Sequence, residues 1–247
     1  MKSRFLAFGT HLLVSAVAIT IFLLVVYFIW YPYPYYRVHS AIDVVKIILG
    51  VDLVLGPLIT LLIFDTNKPR TVLARDMSFI ILFQISALLW GIHVTYKMHP
   101  LFLVFQDKTF YSVIKQDIEM DSLNEDVIVP GLFQRPKMIY MAPMETKDAI
   151  RVFLEMLNNN GRDTMFQESL YKPFSDSNIE GVLAKAFDTS KWLDKSVQQK
   201  KIDTFLDLHG GVAKDYAFYP IVSGSYRGTL VFRRSDFTIV GLIDGIF

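Results

Sequence analysis

Residues 5–31 have the sequence FLAFGTHLLVSAVAITIFLLVVYFIWY, a nearly unbroken apolar run interrupted only by His11 and a few small hydroxyl side chains. A helix needs roughly 20 apolar residues to span a bilayer, so this run is long enough to do so. A basic start before an apolar run is also typical of a cleaved signal peptide. However, the run is too long for one, and no small-x-small cleavage site precedes its end. We therefore expect a retained transmembrane helix.

Two further apolar segments follow within residues 1–99. Residues 44–64 carry Lys46 near one end and Asp52 well inside, and residues 77–96 are apolar apart from a few polar side chains. Over the whole chain 52% of the residues are hydrophobic and 20% are charged, which is too apolar for an ordinary soluble protein. The sequence thus predicts a membrane protein with three transmembrane helices, at about 5–31, 44–64 and 77–96.

Basic residues in the short connecting segments predict how these helices are oriented, because Lys and Arg accumulate on the cytoplasmic side of a membrane. Lys2 and Arg4 precede the first helix, and the segment 65–76 between the second and third contains three more basic residues. An odd number of spans then places everything after Lys97 on the other side, which in a bacterium is the periplasm. We expect a cytoplasmic amino terminus and a periplasmic region 100–247.

Aromatic residues cluster where the first helix should leave the bilayer, in the sequence WYPYPYY of residues 30–36. Trp and Tyr prefer the headgroup layer of a membrane, and the two prolines end the helix there. We expect Trp30, Tyr31, Tyr33 and Tyr35 to form an interfacial anchor. A docking surface for a partner protein is the alternative role of this cluster.

Asp52 is the residue that we single out in the membrane region. A carboxylate in mid-membrane is costly, and such residues are treated as functional by default. Asp52 is the ninth residue of its predicted span, which puts it about 12 Å from one end. Candidate hydrogen-bond partners at similar depth in the other two helices are Thr20, Gln84 and Ser86. His11 and His93 lie near opposite membrane faces, which argues against a proton relay through the acid.

Small and helix-bending residues surround Asp52. Gly50 and Gly56 would let a neighbouring backbone approach closely, and Gly56 lies on the same helix face as the acid. Pro57 cannot donate to the carbonyl of Leu53, so we expect a kink there. We interpret Asp52, Gly56 and Pro57 as a partner-binding patch. A polar contact that only holds the three helices together is an equally weighted alternative.

Region 100–247 returns to the composition of a globular protein, and about 150 residues suit one domain. Alternating or continuous apolar runs predict strands at 101–105, 110–118, 217–222, 227–233 and 237–243. Apolar residues at helical spacing predict helices at 146–158, 177–187 and 191–208. We therefore expect an α+β extracytoplasmic domain with an antiparallel sheet and helices on one face.

The chain contains none of the catalytic or phosphate-binding motifs GxxxxGK[ST], HExxH and GxSxG. It has no cysteine, which excludes disulfides and thiolate chemistry. His209 is explained by a helix end and Ser223 by a turn. The net charge is +4 over residues 1–99 and −3 over the rest, so no polybasic surface favours nucleic-acid binding. We expect no enzyme activity, no cofactor and no metal site.

Several short motifs occur in a characteristic order along the chain. Those of the membrane region are Met1–Arg4, Ala7–Phe8, His11–Leu13, Trp30–Pro32 and Gly50–Leu58. Those of the second region are Leu103–Phe105 and Tyr219–Pro220, the latter followed by a closing hairpin. Together these motifs resemble the type IV pilin accessory proteins of the TfpX/TfpZ type, over most of the chain except about residues 120–215.

This resemblance implies an inner-membrane protein of Gram-negative bacteria that assists a cognate type IV pilin in pilus biogenesis, in the manner of a chaperone. The implied partners are that pilin, the lipid bilayer and other pilus assembly proteins. The family has no established catalytic residues, and its membrane motif corresponds here to Asp52, Gly56 and Pro57. The alternative is an extracytoplasmic ligand sensor, which would signal through a separate partner because the cytoplasmic portion is too small for an output domain.

Overall fold

The computed structural model describes residues 2–39, 41–141, 167–188 and 196–245, together with Ile150 and Leu154. The chain divides into two compact units. The first consists of Met1–Tyr36 and Ser40–His99, and the second of Arg37–His39 and Pro100–Phe247. Apolar helices form the first unit, and a sheet with accompanying helices forms the second.

Three helices of the described part of the chain are long and apolar enough to cross a membrane, which confirms the predicted succession of three apolar helices. They are α1 (Lys2–Trp30), α2 (Asp43–Ile63) and α3 (Arg70–Lys97). A short helical turn at Tyr35–Val38 lies between α1 and α2 in the sequence. Many of their large apolar side chains are exposed to the surroundings, as is typical of helices in lipid.

The hydrogen-bond pattern of α2 changes near its middle. Residues Gly50–Leu55 are π-helical, and the N–H of Gly56 donates to the carbonyl of Val51, five residues back. Pro57 follows immediately and has no N–H to donate. Where the sequence predicts a kink, the structure thus has a π-helical turn that contains Asp52. Such turns within α-helices are frequent at functional sites.

The end of α1 packs against the end of α3. Trp30 and Tyr31 are buried, and the Tyr31 hydroxyl donates to the carbonyl of Thr95 over 3.0 Å. The ring centroids of Trp30 and Tyr96 are 5.3 Å apart. The aromatic residues at the end of the first apolar run therefore contribute to packing between helices.

Within the described residues, the second unit contains a seven-stranded sheet. Its strands are β1 (Pro100–Gln106), β2 (Thr109–Ile114), β3 (Lys137–Met141), β4 (Tyr171–Pro173), β5 (Tyr216–Ser223), β6 (Tyr226–Arg233) and β7 (Ile239–Asp244). Their order across the sheet is β4-β3-β1-β2-β5-β6-β7. The accompanying helices are α4 (Asp176–Ala184) and α5 (Ser196–His209).

The sheet is mixed, which corrects the prediction of an antiparallel sheet. β1 pairs with β3 and β2 pairs with β5 in parallel, whereas β1–β2, β5–β6 and β6–β7 are antiparallel hairpins. The sequence predicts the hairpins because turn residues join their strands. It does not predict β3 and β4, which are short. Parallel partners are joined by long crossover segments, so their pairing leaves no local sequence signal.

Two of the three helices predicted in the second region are observed, and the third lies almost entirely outside the described residues. The helix predicted at 177–187 is α4, which begins at Asp176 after a capping box formed by Ser175 and Asn178. The helix predicted at 191–208 is observed as α5 over its described part. The helix predicted at 146–158 lies almost entirely outside the described residues. The last strand begins only at Ile239 because Phe237 has a positive φ of 52°.

Aromatic rings dominate the core between the middle strands. Phe110 and Phe232 stack with ring centroids 5.1 Å apart, and Tyr219 lies edge-on to both rings. All three side chains are fully buried. The Tyr219 hydroxyl donates to the carbonyl of Val182 over 3.0 Å, which attaches α4 to the sheet. Burial raises the pKa of this hydroxyl, so it keeps its proton and its role as donor.

Replacing Phe232 by Ala should lower the free energy of unfolding of the second unit by about 3–5 kcal/mol, because the change removes a fully buried ring and leaves a cavity. Urea unfolding of the full chain in detergent, followed by near-ultraviolet circular dichroism, measures the change. The exposed Ile128 provides the control, since Ile128→Ala should shift the free energy by less than about 0.5 kcal/mol. Equal stability of the Phe232→Ala variant and the parent would contradict this description of the core.

Candidate functional site

A groove of about 650 Å³ lies among the three helices of the first unit. We call it the helical groove. Most of its lining is apolar, but all three helices contribute polar side chains, among them His11 of α1, Asp52 and Thr60 of α2, and Gln84 of α3. Polar groups within an apolar bundle mark the places where such a protein binds or positions something.

His11 connects the three helices. Its Nδ1 lies 2.6 Å from the Thr60 hydroxyl oxygen, and its Nε2 hydrogen-bonds the amide oxygen of Gln84. An amide oxygen only accepts, so Nε2 carries a proton, and in a neutral ring Nδ1 then accepts the proton of the Thr60 hydroxyl. Thr60 and Gln84 are both buried. The imidazole therefore fixes which faces of α1, α2 and α3 meet.

Gly56 provides the space for Gln84. A Cβ atom at position 56 would lie 1.5 Å from Nε2 of Gln84 and 2.4 Å from its Cδ. Any side chain at Gly56 must therefore push the amide away, and the amide would then lose its present hydrogen bond to His11. At Gly50, in the same π-helical turn as Asp52, a Cβ atom would meet nothing within 4 Å.

Asp52 lines the helical groove and is only 4% exposed. Its Oδ2 has no hydrogen-bond partner within the described part of the chain, and the same holds for Nε2 of Gln84. Burying a polar atom without a partner is costly. The packing of the described helices thus leaves one acceptor and one donor unsatisfied, and both atoms are closed off from the groove.

The three hydrogen-bond partners that the sequence suggested for Asp52 lie in different environments in the structure. The Thr20 hydroxyl donates to the carbonyl of Ala16 over 2.7 Å, and Ser86 is exposed. Gln84 does line the groove with Asp52, but its amide oxygen bonds to His11. Sequence reasoning missed His11 and Thr60 as parts of the site. Their only signal is that each is polar in an otherwise apolar helix.

The remaining predicted site residues have clear positions. Gly56 and Pro57 are buried, and neither lines the groove; Gly56 acts through its contact with Gln84. Of the predicted interfacial anchor, three residues are buried and one is 43% exposed. The buried ones are Trp30, Tyr31 and Tyr35, and the exposed one is Tyr33. Their role at a lipid interface stays a prediction.

An ion pair joins the start of α1 to the segment after α2. The Arg4 guanidinium lies 2.6 Å from Oδ2 of Asp65, and the backbone N–H of Asn67 donates to Oδ1 over 3.0 Å. The Asn67 hydrogen bond and then the Arg4 contact hold the pKa of the Asp65 carboxyl below its usual range. Since Ser3 and Phe64 line the groove, this pair fixes the helix ends there.

A second concavity, of about 490 Å³, lies in the second unit. Its charged lining residues are Asp126, Lys137, Asp176 and Asp236, and the three carboxylates are exposed. Exposed acids are solvated and need no ligand. Within the described ranges, no three His, Asp or Glu side chains are grouped so that they could hold a metal ion. The helical groove is therefore the better candidate site.

Comparison with known proteins shows what the chain is similar to. The family model for the fimbrial assembly protein FimB matches residues 1–40. Three fimbrial assembly proteins of Dichelobacter nodosus align with the chain over 126 residues: those of serogroup I at 31% identity, serogroup E1 at 32%, and serogroups C1 and C2 at 31%. No solved structure matches the chain.

The alignments differ in how much of each relative they cover. Each covers 49% of this chain. The chain spans 49% of the serogroup I and E1 proteins, about half their length, and 96% of the protein of serogroups C1 and C2. The protein of serogroups C1 and C2, which is covered almost completely, therefore provides the firmest comparison.

Replacing Gly56 by Ala should destabilise the first unit by about 1–3 kcal/mol, because the new methyl group displaces the Gln84 amide from His11. Gly50→Ala is the matched control on the same helix and should not be destabilising, since space is open there. The apparent Tm of the purified chain in detergent measures both, and histidine ¹⁵N shifts report the environment of His11. Equal Tm values and unchanged shifts in both variants would refute the packing described for Gly56.

The Arg4–Asp65 pair predicts a pH dependence of stability. Because the folded state lowers the pKa of Asp65, the ionised carboxylate stabilises the fold above the unfolded pKa of about 4. That contribution is lost as the pH falls through the lower folded pKa. Wild type should therefore have a higher Tm than Asp65→Asn at pH 7, and the difference should shrink as the pH falls below about 4. A difference that is independent of pH would contradict this prediction.

Proposed function

Because this chain belongs to the FimB family of fimbrial assembly proteins, we propose that it is a non-enzymatic accessory protein that assists a cognate type IV pilin in pilus biogenesis. Its action is chaperone-like: it binds the pilin before or during assembly and is not consumed. Family membership supports the role in pilus assembly, and the helical groove supports the binding role.

In this proposal α1, α2 and α3 cross the bacterial inner membrane. The amino terminus and the segment 65–76 face the cytoplasm, since both are rich in basic residues. The ion pair between Arg4 and Asp65 supports this arrangement, because it joins the start of α1 to the end of α2. The second unit then lies in the periplasm.

The proposal assigns one contact with the pilin to each unit. A pilin subunit that waits in the inner membrane has one long apolar helix and a periplasmic head. The helical groove contacts the apolar helix, and the sheet of the second unit contacts or shields the head. The single observation that carries the groove contact is Asp52, an acidic side chain that lines the groove from the π-helical turn of an otherwise apolar helix.

The test is a co-purification from mildly solubilised membranes through a carboxyl-terminal tag, with pilin quantified against an unrelated tagged three-span protein. Pilin should be enriched with the wild-type chain, and Asp52→Leu should reduce the recovery about three- to tenfold, because an apolar side chain cannot accept a hydrogen bond. Thr20→Leu is the matched control: it removes a polar group that does not line the groove and should leave recovery unchanged.

Two outcomes would contradict different parts of the proposal. Equal pilin recovery with the tagged chain and the unrelated control would count against a stable accessory complex. Normal recovery with Asp52→Leu would count against the groove contact alone. If Asp52→Leu fails to accumulate in the membrane, the interpretation of Asp52 as an internal contact between helices gains instead.

A further inference from the structure

We infer that the turn formed by residues 131–134 of the second unit inserts two apolar side chains, Leu132 and Phe133, into the surface of the lipid bilayer. We call this turn the apolar tip. The inference rests on the proposed function only for the placement of α1, α2 and α3 in the membrane. It goes beyond that function because it gives the second unit a lipid contact of its own, separate from the helical groove.

The first argument is the exposure of large apolar side chains at the apolar tip. Phe133 is 71% exposed, and Leu132 and the nearby Ile128 are exposed as well. By contrast, Val127 is buried in the core of the second unit, so this part of the chain does bury some of its apolar residues. The central positions of a turn usually hold Gly, Pro, Asn, Asp or Ser. Exposed apolar residues that cluster in this way mark a contact with a membrane or a partner.

The second argument is that hydrogen bonds hold the apolar tip in one conformation. The backbone N–H of Gln134 donates to the carbonyl of Gly131 over 3.0 Å, which closes a β-turn with Leu132 and Phe133 at its two central positions. The backbone N–H of Gly131 donates to the side-chain amide oxygen of Gln134, also over 3.0 Å. The turn therefore presents both apolar side chains in a fixed geometry, which lowers the entropy cost of inserting them.

The third argument is the end of the sheet at which the apolar tip lies. Lys137 follows the tip closely in the sequence and begins β3, and it pairs in parallel with Phe102 of β1. The start of β3 therefore lies at the same end of the sheet as Pro100, the start of β1. Only Met98 and His99 separate Pro100 from the end of α3. The tip thus belongs to the end of the sheet that the chain ties to a proposed membrane span.

The segment Arg37–His39 belongs to the second unit and is bound at the same end of the sheet. His39 Nε2 lies 2.8 Å from the hydroxyl oxygen of Ser112 in β2, and the Arg37 guanidinium lies 2.8 Å from Oδ2 of Asp244, the last residue of β7. The strand pairings place the ends of β2 and β7 at the end where β1 begins. The chain therefore passes between the sheet and the apolar helices only at the end that carries the apolar tip.

The chemistry around the apolar tip favours lipid as its occupant. Leu and Phe side chains insert readily at the boundary between headgroups and acyl chains. Two acids, Glu125 and Asp126, precede the tip, and two basic residues, Arg135 and Lys137, follow it, so the charges balance. The contact should therefore depend on apolar area and not on lipid charge. Because α3 would tether the second unit to the bilayer, even a weak apolar contact would be formed most of the time.

The test measures lipid contact by fluorescence quenching in the full chain. Because the chain has no cysteine, one introduced cysteine carries one nitrobenzoxadiazole label without further changes. Leu132→Cys places the label in the apolar tip beside an intact Phe133. Leu208→Cys is the matched control: Leu208 is also apolar and 79% exposed, but it lies near the end of α5, where the Tyr216 hydroxyl at the start of β5 donates to the carbonyl of Gly210. The start of β5 is at the opposite end of the sheet from the tip.

Each labelled chain is reconstituted into vesicles of phosphatidylethanolamine and phosphatidylglycerol, with and without nitroxide-labelled phosphatidylcholine as the quencher. We expect the label at position 132 to be quenched at least about fivefold more than the label at position 208. Adding Phe133→Ser to Leu132→Cys should lower the quenching about threefold or more, because a hydroxyl side chain gains little from insertion. Adding Phe133→Trp should preserve it, since Trp prefers the headgroup layer. Replacing phosphatidylglycerol by phosphatidylcholine should change little.

A third label, at Leu82→Cys on an exposed position of α3, separates the inference from the proposed function. Quenching at position 82 without quenching at position 132 would overturn the inference, as would equal quenching at positions 132 and 208 or quenching that Phe133→Ser leaves unchanged. A label at position 82 that lipid does not quench would refute the membrane placement of α3, and the inference with it. Quenching at position 132 in a chain that fails to co-purify pilin would support the lipid contact and count against the accessory role alone.

Discussion

The first unit depends on the two hydrogen bonds of the His11 imidazole. Apolar helix faces in lipid pack in many rotations with similar energy, because lipid tails are as apolar as Leu or Ile. One side chain that bonds to Thr60 on α2 and to Gln84 on α3 selects a single arrangement. The contact of Gly56 with Gln84 and the Arg4–Asp65 pair are further contacts between the helices in that arrangement.

The hydrogen bonds of His11 with Thr60 and Gln84 also bear on the role of Asp52, for which the sequence leaves two alternatives. On the sequence alone, two interpretations of Asp52 have equal weight: a polar contact between the helices, or a residue that binds a partner. In the structure His11, Thr60 and Gln84 already make the contact between helices, and Oδ2 of Asp52 takes no part in it. A buried acid that contributes no bond to its own bundle costs stability. That cost is the physical reason for proposing that Asp52 has a role other than joining the helices.

Sequence reasoning predicts what local patterns determine and misses what depends on helix rotation or long-range pairing. The three apolar helices follow from composition, and Asp52 stands out as a lone acid in an apolar run. The neighbours of His11 depend on how α1 is rotated and tilted, which one sequence does not determine. Likewise β5, β6 and β7 follow from their turns, whereas β3 joins β1 across a long crossover without a local signal.

The energetics of helix contacts in a membrane suit the proposed accessory role, in which the partner must be released. Each interhelical hydrogen bond in a membrane contributes on the order of 0.6–1.7 kcal/mol. In the proposed role, one such bond at Asp52 together with van der Waals packing would give modest and reversible binding. The second unit has its own aromatic core around Phe110 and Phe232, so an unsatisfied acid in the groove does not threaten its fold. Modest affinity is what the proposed accessory role requires, because a pilin bound in the groove must be released to the growing pilus.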